Sequence, residues 1–583
     1  MSIPPPEWSA PARQLWHAMR AGIALDLTSP VLGTGSRELR PPGDLEITAE
    51  VVGSLLLHPP PPEPGVVSHL HLIGATITGR LRLSYATVEI PLTLVDCQFA
   101  NTPELNDASL RAVDLTGSRF PGLDADRLKV EGDLVLRRAT SGTISLVRAD
   151  VAGDMWLTGA ELTAEGTDHA LHAPQLRVGG GLYARSVTAK GGLNLWGAQA
   201  FTVEVAAGRL SHPTHAALRC DGLRLIQDLM CTRLSVDSGG LSLFGAAIGG
   251  QCWFNDADVH NATGWAINAP SVRVGGGVYG RGMTAQGGIN LFAAAIGESL
   301  ELPSCTLTAY EIHALRAPGA RIEGSLKLDN GAKFVGDVSL PRTEVKATLR
   351  LSGSTFTRST IIDLNHATLG ALDMASLNTL PSVLDLRAAT IGRINDSTDS
   401  WPPRVELDGL AYQDLRPVLP ADKRLAWLNR GDSYNPLPHE RLAAYYRQLG
   451  HDDDARAVQL ARHRQRRRYS RPLARLWGHL EDLTVGYGYR PGRAFASLFA
   501  LTAAVALVFT AVPPQATRVN GPDFQPVAFA LDLVLPVLDL GQEKSFIPST
   551  ETAWVAWTGA VAGWLLATTV IAGLTRRLSR ASH

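Results

Sequence analysis

The chain is short of the residues that would build a cross-linked, metal-bound or motif-bearing catalytic domain. Its five cysteines, Cys97, Cys220, Cys231, Cys252 and Cys305, are scattered through 583 residues, odd in number and without a CxxC pair or an accompanying CxxH. Such spacing argues against a disulfide framework or a zinc site and reads as small buried residues in a reducing compartment. GxxxxGK[ST], GxSxG and HExxH are also missing, so a phosphate-cradling loop, a nucleophile elbow and a zincin helix have no foothold. The N-terminal stretch MSIPPPEWSAPARQLWHAMRAG lacks the apolar h-region of a signal peptide. Between about residues 66 and 396 no segment has the periodicity of an amphipathic helix, which disfavours an α-solenoid or a βαβ sheet.

What the chain does have is a tail unlike its body. Residues 494–512 and 553–574 are uncharged apolar runs, each long enough at 1.5 Å per residue to cross roughly 30 Å of hydrocarbon. Nine arginines between Arg462 and Arg493 precede the first run, and Arg576, Arg577 and Arg580 follow the second. Basic residues favour the cytoplasmic side, so both ends and the body are expected there. The connecting segment, 513–552, has a net charge of −3, which suits the outer face. The overall charge of −1 therefore hides a mildly acidic body on a basic collar.

The body repeats. ALHAPQLRVGGGLY begins at Ala170, ALRCDGLRLIQDLM at Ala217, AINAPSVRVGGGVY at Ala266 and ALRAPGARIEGSLK at Ala314, in steps of 47, 49 and 48. Inside this period recur apolar-x-apolar triplets such as Leu193/Leu195, Leu241/Leu243 and Ile289/Leu291. Alternation over three residues means very short strands with one face buried, and self-similarity at a fixed period means a solenoid. The expected fold is mainly β: a right-handed parallel β-helix of ~15 coils at ~22 residues each, some 70 Å long from the strand spacing. Part of it is pentapeptide-like, with Leu115, Phe120, Ala125, Val130 and Val135 five apart. The expected organisation is a helical cap over 1–65 with helices at Glu7 to Ala21 and Leu45 to Leu57, the β-helix over 66–400, a linker opening on a Pro-rich break at Trp401, Pro402 and Pro403 and a basic helical hairpin over 401–492, and two transmembrane helices with an outer loop over 493–583.

Candidate sites are few. Arg466, Arg467, Arg468, Arg471, Arg490 and Arg493 are placed to contact anionic lipid headgroups. The outer segment, with Asp532, Pro536, Asp539 and Gly541, has the length of a re-entrant or interfacial helix and loop. Its acids would line an acidic ring if the chain formed an oligomer. Thr484 to Gly488 spells TVGYG, but it precedes the first span instead of lying between spans, and reads as an interfacial turn. Gly179 to Gly181 and Gly275 to Gly277 lie at matching points of the repeat and read as coil bends, not as a dinucleotide turn. His212 and His215 form an isolated HxxH read as solvated loop residues. No nucleic-acid partner is expected, because the arginines cluster at a helix end without aromatic platforms.

The strings LHLIGATITGRLRLSYATVEIPLTLVDCQF (residues 70–99), GSRFPGLDADRLKVEGDLVL (117–136), YGYRPGRA and FALDLVLPVLDLGQE (529–543) resemble an actinobacterial family that joins a pentapeptide-like β-helix to a two-span membrane tail. Its members often carry the name membrane-associated oxidoreductase. The resemblance implies a membrane protein but brings no catalytic residue, and the sequence has neither paired cysteines nor a cofactor loop to support redox chemistry. The expectation is therefore a scaffold without catalytic activity, catalytic, cofactor and metal sites all being none. Its partners would be membrane lipids, a protein partner and a possible second copy of the chain. A gated two-span ion conductor regulated by the β-helix, and the oxidoreductase of the family name, are the alternatives.

Overall fold

The computed structural model describes residues 3–578 except 29–30, 34–35, 39–44, 165, 167, 312, 432–434, 469–490, 518–522 and 536; side chains are further undescribed over 29–44, 466–494 and 569–578. The chain divides into two units, Met1–Val418 and Leu419–His583.

The first unit is a parallel β-solenoid whose coils turn through four short strands. One coil runs through Arg177–Val178, Gly181–Tyr183, Thr188–Lys190 and Leu193–Asn194, which lie on what we call the first, second, third and fourth faces. The first and second faces belong to one 28-stranded sheet, and the third and fourth are columns of 14 and 13 strands. That is close to the coil number expected from the sequence and corresponds to a stack about 65 Å long. Strands this short hold because each apolar residue stacks on its counterpart one coil away. Leu193 registers with Leu218, Leu218 with Leu241, and Leu241 with Ile267. All four are nearly inaccessible to water. All five cysteines are free and lie in this interior. Burial pushes the Cys97 thiol up to about 11 and the Cys305 thiol up to about 12, so neither is a thiolate at neutral pH.

The corners need left-handed backbone. Gln175, Arg148 and Ser271, at the corner from fourth to first face, have φ of 58°, 57° and 57°. A residue with a Cβ resists this conformation by about 1–2 kcal/mol. The cost is offset because each amide meets a carbonyl of the next coil, Arg148 N–H donating to Pro174 at 2.9 Å and Gln175 N–H to Trp196 at 2.7 Å.

The period of about 48 is two coils. Arg177 pairs with Gln199, Gln199 with Arg224, Arg224 with Ala247 and Ala247 with Arg273, so coils of 22 and 23 residues alternate with coils of 25 and 26. The longer coils have extra residues between third and fourth faces, as at 212–216 and 261–265. The shorter coils cross the same corner on a glycine pair. Gly191 and Gly192 have φ of 107° and 68°, and a Cβ on Gly192 would lie 2.3 Å from the Ala217 carbonyl. Gly287 and Gly288 repeat the arrangement, with the carbonyls of Gly264 and His313 each 2.3 Å away. Loops of neighbouring coils close over these turns, which leaves no room for any other residue.

The stack outruns the sequence boundaries of 66 and 400. Leu25–Asp26 pairs with Leu72–Ile73, and Glu46–Thr48, expected to open a helix, is a strand pairing with Thr76–Thr78 before the helix Ala49–Leu57 begins. At the other end Arg404–Glu406 and Ala411–Arg416 extend the sheets. The Trp401-Pro402-Pro403 break lies between strands, where a missing proline N–H costs no ladder bond. The helix Ala10–Ala21 is capped by the Ser9 hydroxyl and by left-handed Gly22, and buries Leu15, Trp16 and Met19. The five-residue register also breaks as a structural matter: coils near residue 109 are 20 residues long, but Val135 lies partly exposed while Leu134 and Leu136 turn inward.

The second unit is helical. Ala421–Leu428, Pro436–Gln448 and Asp452–Arg468 form a small bundle; the Tyr446 hydroxyl donates to the Leu419 carbonyl at 2.5 Å, and the Asp454 carboxylate accepts the Ala421 N–H at 2.9 Å. Pro491–Ala511, Pro526–Val534 and Ala553–Leu578 pack about Val505, Phe509, Phe529, Leu533 and Val534. Gly559 and Gly563 make the approach close: a Cβ on Gly563 would lie 2.2 Å from the Val534 carbonyl. Among the described residues no helix is long and apolar enough to cross a membrane.

Candidate functional site

The two-coil period writes itself onto the first face and the corner leading into it. Arg177, Arg224, Arg273 and Arg321 occupy its outward positions on every second coil, with Gln199, Ala247 and Ala295 between them. Two coils at the strand spacing put successive arginines roughly 10 Å apart. No acid occupies an outward strand position between Arg177 and Arg321. Arg177, Arg224 and Arg273 are exposed and make no ion pair among the described residues, whereas Arg321 reaches Glu344 at 4.0 Å. Lys129, Arg127 and Arg148 continue the basic row, and the groove lined by Lys129, Arg148, Arg177 and Arg224 has a volume of about 890 Å³. Asp150 interrupts it, and Arg127 is paired with Asp107 at 2.6 Å.

The corner carries the complementary set. Trp196, Phe244 and Phe292, each just after an apolar triplet of a shorter coil, are 44%, 57% and 44% exposed. Phe201 and Ile226, beside the arginine row, are 44% and 66% exposed. Exposed large side chains gathered on one face signal a partner, where single ones do not. Past Phe201 and Ile226 the side chains vanish from the far edge of the same face for three coils. A Cβ on Gly249, Gly275 or Gly297 would lie within 2.3 Å of the carbonyl one coil below, so this edge is bare backbone. The result is a strip with cations along its middle and rings along one border.

Glycine also shapes the second face. Trp156 stacks on Tyr183 with centroids 4.4 Å apart, and Trp253 on Tyr279 at 4.6 Å. A Cβ on Gly181 or Gly277 would fall 2.5 Å from the tyrosine ring, so the third glycine of each GGG seats that ring. Gly275 to Gly280 spells the glycine spacing of a dinucleotide turn, yet the next element is the strand Thr284–Gln286, not the helix a pyrophosphate needs.

At the loop corner four histidines gather. Ring centroids of His169 and His212 are 4.8 Å apart, of His212 and His215 5.0 Å, and of His169 and His172 6.3 Å. His212 Nδ1 accepts the N–H groups of Thr214 at 3.1 Å and His215 at 2.8 Å, which puts the ring proton on Nε2 and leaves no lone pair for a metal. Among the described residues no three His, Cys, Asp or Glu side chains are arranged to hold an ion. Burial, reinforced by His212, His172 and His215, lowers His169 to about 4, so it is neutral at pH 7. The sequence placed both His212 and His215 in solvent; His215 is exposed, but His212 is fully buried because its ring serves as the acceptor that closes the loop.

The residues singled out in the tail come out as follows. Asp532 is 6% exposed, and its two oxygens accept the Leu540 and Glu543 N–H groups at 2.8 Å each. Its charge is spent holding the loop. Asp539 is exposed, accepts the Gly541 N–H at 3.1 Å and pairs with Lys544, whose hydrogen bond holds its carboxyl below the usual range; Gly541 has a φ of 76°. Asp532, Asp539 and Gly541 are thus brought into one turn, and Pro536 lies outside the described residues. Arg471, Arg490 and the 484–488 string also lie outside them, and the side chains of Arg466, Arg467, Arg468 and Arg493 are not described.

No family model, no curated protein and no solved structure matches this chain. The arginine and aromatic lattice was within reach of the sequence. Arg177, Arg224, Arg273 and Arg321 sit inside the four repeat strings, and Trp196, Phe244 and Phe292 follow three triplets in step. Knowing that two coils make one period is what assigns all seven to one side of the solenoid.

Proposed function

We propose that the chain is a non-catalytic scaffold of a bacterial cytoplasmic membrane, tethered by its C-terminal helices and presenting the first face of a cytoplasmic solenoid as a binding surface. The observation that carries this reading is the lattice of exposed arginines and rings repeated every second coil. A surface multiplied along a rod favours binding, because binding energy adds over repeats whereas a reaction needs one convergent constellation.

The tether is supported by the outer surfaces of the last helices. Phe499 is 78% exposed, Leu507 74%, Trp557 72% and Val561 62%, more apolar surface than a helix bundle leaves in water. The helices Pro491–Ala511 and Ala553–Leu578 are 21 and 26 residues long. The likeness of the tail strings to the two-span actinobacterial family points the same way.

Carbonate extraction and impermeant thiol labelling test the reading. The chain is expected to stay with membranes at high pH, with Asp539→Cys labelled on intact cells and Phe244→Cys only after permeabilisation. Release by carbonate, or labelling of Phe244→Cys from outside, would sink it.

A further inference from the structure

We propose that the first face of the solenoid, from Arg177 to Arg321, docks flat against an anionic phospholipid surface. The inference deepens the membrane reading above by naming the ligand of the binding face.

Three features point to a plane of anionic headgroups. The cations are unspent: Arg177, Arg224 and Arg273 have no carboxylate partner among the described residues, although the neighbouring second face pairs its charges. Exposed guanidinium groups without acids between them suit phosphate, which they meet through paired donors. The arginines also form one continuous row, since the register is unbroken from Arg177 to Arg321, and past Ile226 the edge beside them, Gly249, Gly275 and Gly297, raises no side chain. Finally, Trp196, Phe244 and Phe292 border the arginines with exposed rings, and Phe201 and Ile226 add apolar surface within it. Rings beside basic residues are the pairing that settles at headgroup depth, the ring in the acyl boundary and the cation at the phosphate.

A nucleic-acid strand fits less well. Its phosphates recur at about 3.4 Å in a duplex, much finer than a lattice of roughly 10 Å, so most would go unmet. A planar headgroup array imposes no such register, and any lipid can diffuse to any arginine.

The test uses the full chain reconstituted in vesicles of phosphatidylcholine alone or with phosphatidylglycerol. Because the native cysteines are buried, a thiol-reactive fluorophore reports selectively from Phe244→Cys, or from the control Tyr310→Cys at the loop corner, where Tyr310 is 87% exposed. Lipids carrying a headgroup spin label act as quencher. The expected result is quenching of the Phe244→Cys label that is at least several-fold greater in anionic vesicles, is reversed by high salt, and is lost in the triple variant Arg177→Gln, Arg224→Gln, Arg273→Gln. The Tyr310→Cys label should stay unquenched throughout. Equal quenching of both labels, or none in chain that floats with the vesicles, overturns the proposal while leaving the tether intact. An unquenched label whose anisotropy rises on adding a single-stranded oligonucleotide overturns it in favour of nucleic acid. Failure of the chain to float with neutral vesicles counts against the tether alone, and quenching on anionic vesicles would then still support the docking face.

Discussion

The first and second faces of the solenoid share one sheet and one core, yet treat their outward residues in opposite ways. On the second face Arg185 meets Glu204 at 2.5 Å, Lys327 meets Glu301 at 2.6 Å, and Arg350 lies 3.6 Å from Asp329 and 3.8 Å from Asp373. Its large rings are stacked on one another, and the Arg137 guanidinium covers Trp156 at 4.0 Å. On the first face, between Arg177 and Arg273, cations stand without partners and rings stand clear. A stacked fold can satisfy polar and aromatic groups cheaply by repeating complementary residues in adjacent coils. The first face does not do so, and its guanidinium groups and rings are left to the solvent.

The comparison can be broken most forcefully through what the faces share. Leu218→Ala, in the fourth-face column of the core, should destabilise the solenoid by about 2–5 kcal/mol, and chemical denaturation should show both faces lost in one transition. Separate transitions would mean that the faces do not depend on one core. Next in size, Gly181→Ala should cost about 1–3 kcal/mol by forcing the Tyr183 ring off its seat. Near-ultraviolet circular dichroism should report loss of the stack, with the first-face label of Phe244→Cys unchanged.

The loop corner adds a pH dependence that neither face has. His169 is held near 4 by burial and three neighbouring imidazoles, against 6.5 for an ordinary histidine. As pH falls below 6.5 the unfolded chain takes the proton first, so stability that is complete above 6.5 is lost progressively toward 4, by on the order of 2 kcal/mol. His169→Gln should flatten this slope in melting curves taken from pH 7 to 4; an unaltered slope would remove His169 as its source. The smallest effects sharpen the contrast most. Lys327→Gln should cost up to about 1 kcal/mol by stranding Glu301, while Arg224→Gln should stay within about 0.5 kcal/mol of the parent because it breaks no ion pair. A larger loss in Arg224→Gln than in Lys327→Gln would show that the first-face arginine is a structural residue.

Much of the fold was legible in the sequence because a solenoid repeats its physics. The triplets Leu193/Leu195, Leu241/Leu243 and Ile289/Leu291 mark strands with one buried face, and Gly-Gly before them marks the bends. The strand Glu46–Thr48, by contrast, read as the start of a helix, since LEITAEVVGSLLL is apolar enough for either and only pairing with Thr76–Thr78 decides. His212 read as solvated although the N–H groups its ring accepts, from Thr214 and His215, are only two and three residues away; HxxH spacing alone does not show that the chain turns back on the ring and buries it. Asp532, placed by sequence in an acidic segment open to the outside, is turned inward by two backbone donors that arrive only when the loop folds back.

By itself the sequence determined the class of architecture, the interior columns and the recurrence of arginine and aromatic residues, because alternation and period are properties of the chain. Tertiary structure decided what the period of about 48 means. Strand pairing and loop length, not residue spacing, fix which coil lies on which, and a period of two coils places Arg177, Arg224, Arg273 and Arg321 on one face instead of distributing them around the rod. Contact between coils is long-range in sequence, and only that contact turns a repeated letter into a row.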